Sequence, residues 1–239
     1  MFSFFKKTPV QSFPFSELKR DIHSHLLPGI DDGSPDLETS LSLIRGMQEL
    51  GFRELTATPH VMEDMFRNNT ESIMQAHGVL QQGLKEAGME VNVRPAAEYL
   101  VDGNFERLLR ERTPLLTIYD NWVLFEVSFI QPPIKLKHVI FEMQLQGYQP
   151  VFAHPERYSY YYSKKSELEE IHALGCLFQS NLLSFSGYYG PAAQQSAESL
   201  AEKGFTTLLG TDLHHERHLL ALQDLKMTKG LRKVLDAGK

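Results

Sequence analysis

Trp122-Val123-Leu124-Phe125-Glu126-Val127, then a helical stretch over residues 133–147, then Gln149-Pro150-Val151-Phe152-Ala153-His154: this succession decides the fold. Residues 122–125 are apolar without alternation, as expected of a strand whose sheet is covered by helices. A strand, a helix ending at Gly147 and a second strand make the unit that joins parallel neighbours. Both strand-like runs also reach a side chain that can bind a metal, Glu126 and His154.

The alternation extends both ways. Strand-like runs occupy residues 21–25, 53–60, 91–99, 122–127, 149–154, 176–181 and 206–214. Helical pattern covers 71–87, 133–147, 165–175, 191–204 and 217–237. A further helix is predicted with Ser34 as N-cap and Pro35 at its first position. It carries Leu37, Leu41, Ile44 and Leu50 and stops at Gly51. Such alternation predicts an α/β protein on a mainly parallel sheet, open or closed into a barrel. No composition shift or long linker divides the 239 residues, so one domain is expected over 21–239. Residues 1–20 contain Phe and Pro without periodicity and are expected to form an N-terminal arm.

A formal charge of −6 without a basic tract disfavours a nucleic-acid partner. The single Cys176 rules out an intramolecular disulfide and fits a reducing compartment. No run approaches the roughly 20 apolar residues of a membrane span. Met1-Phe2-Ser3-Phe4-Phe5-Lys6-Lys7 places its basic pair after a very short apolar run, the reverse of a secretory signal. A cytoplasmic protein is expected.

Six of the seven strand-like runs reach a potential ligand near their ends: His23 and His25, His60, Glu98, Glu126, His154, and Asp212 with His214. Residues two apart on a strand share a face, so His23 and His25 can serve one ion, as can Asp212 and His214. In an α/β barrel the strand carboxyl ends meet at one mouth, which brings these distant residues together. One strand-end histidine alone would more often be structural; the coincidence across six runs carries the inference. His77, His138 and His172 fall on helical stretches, and His215 and His218 are expected to point away from the site. Imidazole and carboxylate without thiolate suit Mn, Fe or Zn. With Asp32 the candidates number nine, too many for one ion and suited to two or three.

The segments Asp21-Ile22-His23-Ser24-His25, Pro28-Gly29-Ile30-Asp31-Asp32-Gly33, Thr58-Pro59-His60 and His154-Pro155-Glu156-Arg157-Tyr158 resemble the PHP (polymerase and histidinol phosphatase) superfamily. Within it they resemble most the bacterial capsule-associated tyrosine-phosphatase branch. The resemblance runs from about Asp21 to His214 and implies a distorted (β/α)7 barrel with a trinuclear metal site, often manganese, at the strand carboxyl ends. It implies a first ion on His23, His25, Glu98 and Asp212. Glu98 would bridge to a second, held also by Glu126 and His154. Asp32, His60 and His214 would hold the third, with Asp32 and His214 counted as catalytic too. The choice of Asp32 over the adjacent Asp31 rests on the family pattern alone.

Arg157, three residues after His154, is the natural phosphate clamp, because its planar fork suits phosphoryl oxygens. The structural alternative is an ion pair with Glu156 or a helix carboxylate. The Tyr158–Tyr162 region and the Tyr188-Tyr189 pair could stack on a substrate ring or simply pack. A thiol-based tyrosine phosphatase needs an arginine six positions after its cysteine, and from Cys176 that position is Leu182. The resemblance, with the thiol mechanism absent, implies manganese-type hydrolysis of phosphotyrosine by direct hydroxide attack, without a phosphoenzyme. The resemblance implies a partner, the tyrosine-rich tail of a bacterial tyrosine autokinase controlling capsule or exopolysaccharide synthesis. The rivals are a small-molecule phosphomonoesterase or nuclease on the same scaffold, and a catalytically silent metal-binding module docking on a kinase.

Overall fold

The computed structural model describes residues 11–18 and 20–238. Its strands are β1 Arg20–Ser24, β2 Glu54–Ala57, β3 His60–Val61, β4 Asn92–Pro95, β5 Glu98–Leu100, β6 Trp122–Glu126, β7 Gln149–Ala153, β8 Leu177–Asn181 and β9 Thr206–Gly210. Every strand pairing is parallel, in two sheets of order β1-β2-β4 and β3-β5-β6-β7-β8-β9. Two predicted runs are each broken into two short strands, at Thr58-Pro59 and at Ala96-Ala97. Backbone bonds carry the pairing across those breaks, from Ala96 N to Ala57 O at 2.8 Å and from Glu98 N to Pro59 O at 3.1 Å. The chain beyond β9 meets β1 at its carboxyl end: Asp212 N donates to His23 O at 2.8 Å and His25 N to Leu213 O at 2.9 Å.

The helices are α1 Leu37–Leu50, α2 Thr70–Glu86, α3 Gly103–Arg110, α4 Leu136–Leu145, α5 Lys165–Ala173, α6 Pro191–Lys203, α7 Glu216–Gln223 and α8 Lys229–Ala237. Strand alternation sorts the core. Leu124, Val151 and Ala153 turn inward with Ala96 and Ile118, while Phe125, Phe152 and Phe178 join the larger cluster on the other face. The same period of two carries Glu126 and Gln179 to the inner side, at the end where the ligands gather.

Three predicted boundaries move. The N-cap of α1 is Asp36, whose carboxylate accepts from Thr39 N at 2.8 Å. Ser34 is instead buried, in hydrogen-bond contact with the Ser40 hydroxyl at 2.9 Å. The predicted stretch 217–237 is split into α7 and α8, because residues between them pair with the chain's beginning: Met227 N donates to Gln11 O and Phe13 N to Leu225 O. Within the expected arm, Phe13 and Phe15 are buried in the main core; residues 1–10 lie outside those described. The helix α3, capped by Asp102, was not among the predicted stretches. Among the described residues, no helix is long and apolar enough to cross a membrane.

Candidate metal centre

All nine candidate ligands gather at one locus: His23, His25, Glu126, His154, Asp212 and His214 at or just past strand carboxyl ends, His60 and Glu98 as the first residues of β3 and β5, and Asp32 on the loop after β1. His23 Nε2 lies 3.3 Å from both Glu98 Oε2 and Asp212 Oδ1. His25 Nε2 lies 3.5 Å and 3.4 Å from the same two oxygens. Glu98 also approaches His154 Nε2 through Oε1, at 3.0 Å, and His60 Nδ1 through Oε2, at 3.1 Å. His60 Nδ1 is 2.8 Å from Glu126 Oε1, while its Nε2 faces Asp32 Oδ1 at 3.4 Å. His214 Nε2 faces the same Asp32 oxygen at 3.6 Å. The two nitrogens of His60 thus point into different groups, one shared with Glu98 and Glu126, the other with Asp32, His25 and His214.

These side chains fit metal ions better than they fit one another. His60 Nδ1, Glu98 Oε2 and Glu126 Oε1 are buried and make no hydrogen bond, although they converge. Buried polar atoms without partners are rare in folded proteins and call for a cause. Atoms bound to a common ion at about 2.1 Å lie roughly 3.0–3.4 Å apart. The 3.3–3.5 Å separations around His23 and His25 are of that size.

The outer partners aim the inner ones. His23 Nδ1 bonds Gln179 Oε1 at 2.8 Å, His25 Nδ1 bonds Asp31 Oδ2 at 2.7 Å, and His214 Nδ1 bonds the Asp212 carbonyl at 2.9 Å. Each contact leaves Nε2 facing the cluster, the usual arrangement around a ligating histidine. Asp31, which the sequence leaves as an alternative to Asp32, is fully occupied: it also accepts from Gly33 N and His60 N. Asp212 divides its oxygens, with Oδ1 toward the histidines and Oδ2 accepting from Arg157 at 2.8 Å and Asn181 at 2.6 Å. His154 and Asp212 both have left-handed backbone, φ 36° and 52°, an unfavourable conformation retained where ligand-bearing turns need it.

Charge balance at the cluster favours cations. Burial opposes a charge on His23, yet Glu98 and Asp212 raise its pKa. Burial and the proximity of His60 oppose charge on His25, but Asp31 and Asp212 hold it well above the usual histidine range. His60 behaves alike, burial being outweighed by Asp32, Glu126 and Glu98. Burial and His25 push His214 down to about 4. The carboxylates that raise His23, His25 and His60 would likewise be neutralised by positive ions, and a metal must displace any proton these rings hold.

A cavity of about 250 Å³ opens over the cluster, lined by Asp32, His60, Glu126, His154, Asp212 and His214 together with Phe129, Arg157, His215 and His218. His215 and His218, expected to point elsewhere, line this cavity, His215 as the N-cap of α7 with its ring accepting from His218 N. Volume alone would misdirect, since a cavity of about 610 Å³ lies at the opposite ends of the strands beside Arg20 and Trp122. Arg157 stacks 4.2 Å from the Tyr189 ring centre and 5.1 Å from that of Phe129. Its carboxylate partner is Asp212 rather than Glu156, which is buried and accepts from Asn181 N and Ser184 Oγ. Tyr158 and Tyr161 are buried packing residues. Cys176 is buried too, and burial pushes its thiol well above the usual range.

Sequence reasoning did not single out Gln179 and Asn181, which sit on the one predicted strand-like run, residues 176–181, without a candidate ligand. Their signal was a polar pair at i and i+2 in Leu177-Phe178-Gln179-Ser180-Asn181.

The pattern of the family described as capsular polysaccharide synthesis, CpsB/CapC, matches residues 19–229. The tyrosine-protein phosphatase YwqE of Bacillus subtilis is 30% identical over 82% of this chain and 77% of its own. The tyrosine-protein phosphatase CpsB of Streptococcus pneumoniae is 25% identical over 82% of each chain. A solved chain from work on YwqE of B. subtilis and CpsB of S. pneumoniae, described as unique metal-dependent tyrosine phosphatases, superposes with a TM-score of 0.78. It is 26% identical, and the superposition covers 92% of this chain and 88% of that one. With its parallel α/β architecture and its gathered histidines and carboxylates, this chain belongs to the CpsB/CapC capsular polysaccharide synthesis family.

Proposed function

We propose that this protein is a metal-dependent protein-tyrosine phosphatase. The observation that carries the reading is the convergence of His23, His25, Asp32, His60, Glu98, Glu126, His154, Asp212 and His214, with Arg157 at the same cavity. The relatives bearing that activity support it. Three manganese ions would suit the donor set, and iron or zinc would also be accepted by imidazole and carboxylate. Such ions, when bound, would supply a water-derived nucleophile at neutral pH and offset phosphoryl charge.

The chain's own residues do the rest. Asp31 and Gln179 hold the His25 and His23 rings with Nε2 toward the cluster. Arg157 gives one N–H to Asp212, which leaves other guanidinium donors for a phosphoryl oxygen. The Phe129 and Tyr189 rings confine that guanidinium, so less order is lost on binding. Phosphotyrosine brings a charge of about −1.5 to −2 to a chain of net −6, so Arg157 and the cations must reverse the field locally. A phenolate of pKa near 10 leaves more readily than an alkoxide and needs less help from an acid.

The partner we infer is the phosphorylated tail of a tyrosine kinase acting in capsule synthesis, met in the cytoplasm. A disordered tail can lower its phosphate into a recessed cluster, as a folded surface tyrosine cannot. Turnover of matched phosphotyrosine and phosphoserine peptides, histidinol phosphate and a phosphodiester, with and without added manganese, tests the reading. Phosphotyrosine should be strongly preferred and chelation should abolish its turnover. Equal cleavage of both peptides, or faster cleavage of the diester, would replace the proposal with a broader phosphoesterase.

A further inference from the structure

The loop that follows β6 leaves the candidate site as an apolar lip. Phe129 borders the ligand cavity, its ring centre 6.0 Å from that of His154. The chain continues as Ile130-Gln131-Pro132-Pro133-Ile134, with Ile130 90% exposed and Ile134 fully so. Phe129 itself is 48% exposed. Ile130 and Ile134 line a second groove, of about 410 Å³, over the apolar Val101. Scattered exposed hydrophobic residues need no explanation, but three within six positions beside a reactive site form a patch.

The lip is also held in shape. Tyr160 Oη donates to Ser128 O at 2.8 Å and Ile130 N donates to Ser128 Oγ at 3.1 Å. Pro132 and Pro133 restrict the backbone between the two isoleucines. A surface fixed before binding loses little entropy when it is covered.

We propose that residues 129–134 dock the apolar flank of the substrate polypeptide beside its phosphotyrosine. The inference rests on the phosphotyrosine reading given above. A phosphate reaching Arg157 draws its neighbouring residues across the rim of the cavity, at about 3.3 Å per extended residue. Phe129 lines the cavity and the next residue, Ile130, lines the groove, so the backbone joins the lip directly to the site. A second copy of the chain is a poorer occupant. A stable subunit face draws on about 20–30 residues a side, whereas this patch offers three apolar side chains. A short segment with Leu, Ile, Val or Phe within a few positions of the phosphotyrosine matches its size.

The test uses the full chain loaded with manganese and three substrates. One is a phosphotyrosine peptide flanked by Leu, the second the same peptide flanked by Ser, and the third para-nitrophenyl phosphate, which has no flank. The wild type should favour the Leu-flanked peptide over the Ser-flanked one by about tenfold in kcat/KM, mostly through KM. A double variant, Ile130→Ser with Ile134→Ser, should lose that preference and keep para-nitrophenyl phosphate turnover within about twofold. No flank preference in the wild type, or an equal loss on all three substrates in the variant, overturns the proposal. So does light scattering that shows a wild-type dimer dissociated by the two substitutions, since the occupant is then a second copy. Absence of turnover of any phosphotyrosine ester or of para-nitrophenyl phosphate would sink the phosphatase reading itself, and the lip with it.

Discussion

Replacing Gln179 with Leu tests whether β8 tunes a centre to which it contributes no ligand. Gln179 is buried, its Oε1 2.8 Å from His23 Nδ1 and its Nε2 donating to Asn181 Oδ1 at 2.9 Å. An acceptor on Nδ1 keeps the ring proton there and leaves the Nε2 lone pair facing Glu98 and Asp212. Leucine has similar bulk but no acceptor, so His23 Nδ1 is left buried without a partner, at a cost of about 1–3 kcal/mol. Loss of an outer partner of a ligating histidine typically lowers metal affinity 10–100-fold, or about 1.4–2.7 kcal/mol. The two ranges overlap, as they should if the strain appears where the ring must face an ion. Competition with a chelating dye measures manganese affinity directly, and circular dichroism establishes that the variant is folded. A folded Gln179→Leu protein whose affinity stays within twofold of wild type would refute the role assigned to β8.

Arg157→Ala should cost on the order of 2–5 kcal/mol in kcat/KM, with partial rescue by Arg157→Lys and weaker inhibition by free phosphate. Unchanged phosphate inhibition in the folded variant would remove Arg157 from phosphate binding. Cys176→Ser should keep near wild-type turnover and should flatten the alkaline limb of stability. Burial raises the Cys176 pKa above its unfolded value of 9.0, so above that pH the unfolded chain loses a proton the native one keeps. The wild type should therefore lose about 1.4 kcal/mol per pH unit more than the variant in denaturant unfolding; parallel limbs would contradict this. Gly46→Ala should destabilise by about 1–3 kcal/mol by overpacking, because the new Cβ would sit 2.2 Å from Leu219 Cδ2 between α1 and α7. A gain in urea midpoint, as helix propensity alone predicts, would show that Leu219 can move aside.

The candidate ligands are legible because their chemistry is restricted and their spacing follows the strand period. His23 with His25, and Glu126 after Leu124, could be placed on a face from sequence alone. Features decided by distant contacts were not. Nothing local in residues 217–237 announces that the segment near Lys226 will pair with the chain around Ser12 and divide the helix. The strands β3 and β5, two and three residues long, cannot be told from the longer runs that contain them. Gln179 was passed over because an uncharged amide in a strand is ordinary until its partner is known to be His23. His215 was misplaced because extrapolating a strand past Asp212 ignores the cap that starts α7.

The adjacent acids Asp31 and Asp32 show how much the turn around them decides. Ser34 N donates to His25 O at 3.0 Å and Gly29 N to Ser34 O at 2.8 Å, so the loop folds back onto the end of β1. Gly33 is pressed against it so closely that a Cβ there would lie 2.2 Å from His25 O. This packing leaves the Asp31 side chain wholly buried, its oxygens engaged by His25 Nδ1, Gly33 N and His60 N. Asp32, one residue on, keeps a side chain 56% exposed and presents Oδ1 to both His60 and His214. His60 lowers its pKa to about 2 through a hydrogen bond, against the opposing effect of burial, so the carboxylate is ionised and ready to accept a cation. The two residues are chemically identical, yet Asp31 orients the His25 imidazole while Asp32 presents an oxygen to His60 and His214. Gly33, with no room for a side chain, lets the loop close on His25 and gives its N–H to Asp31.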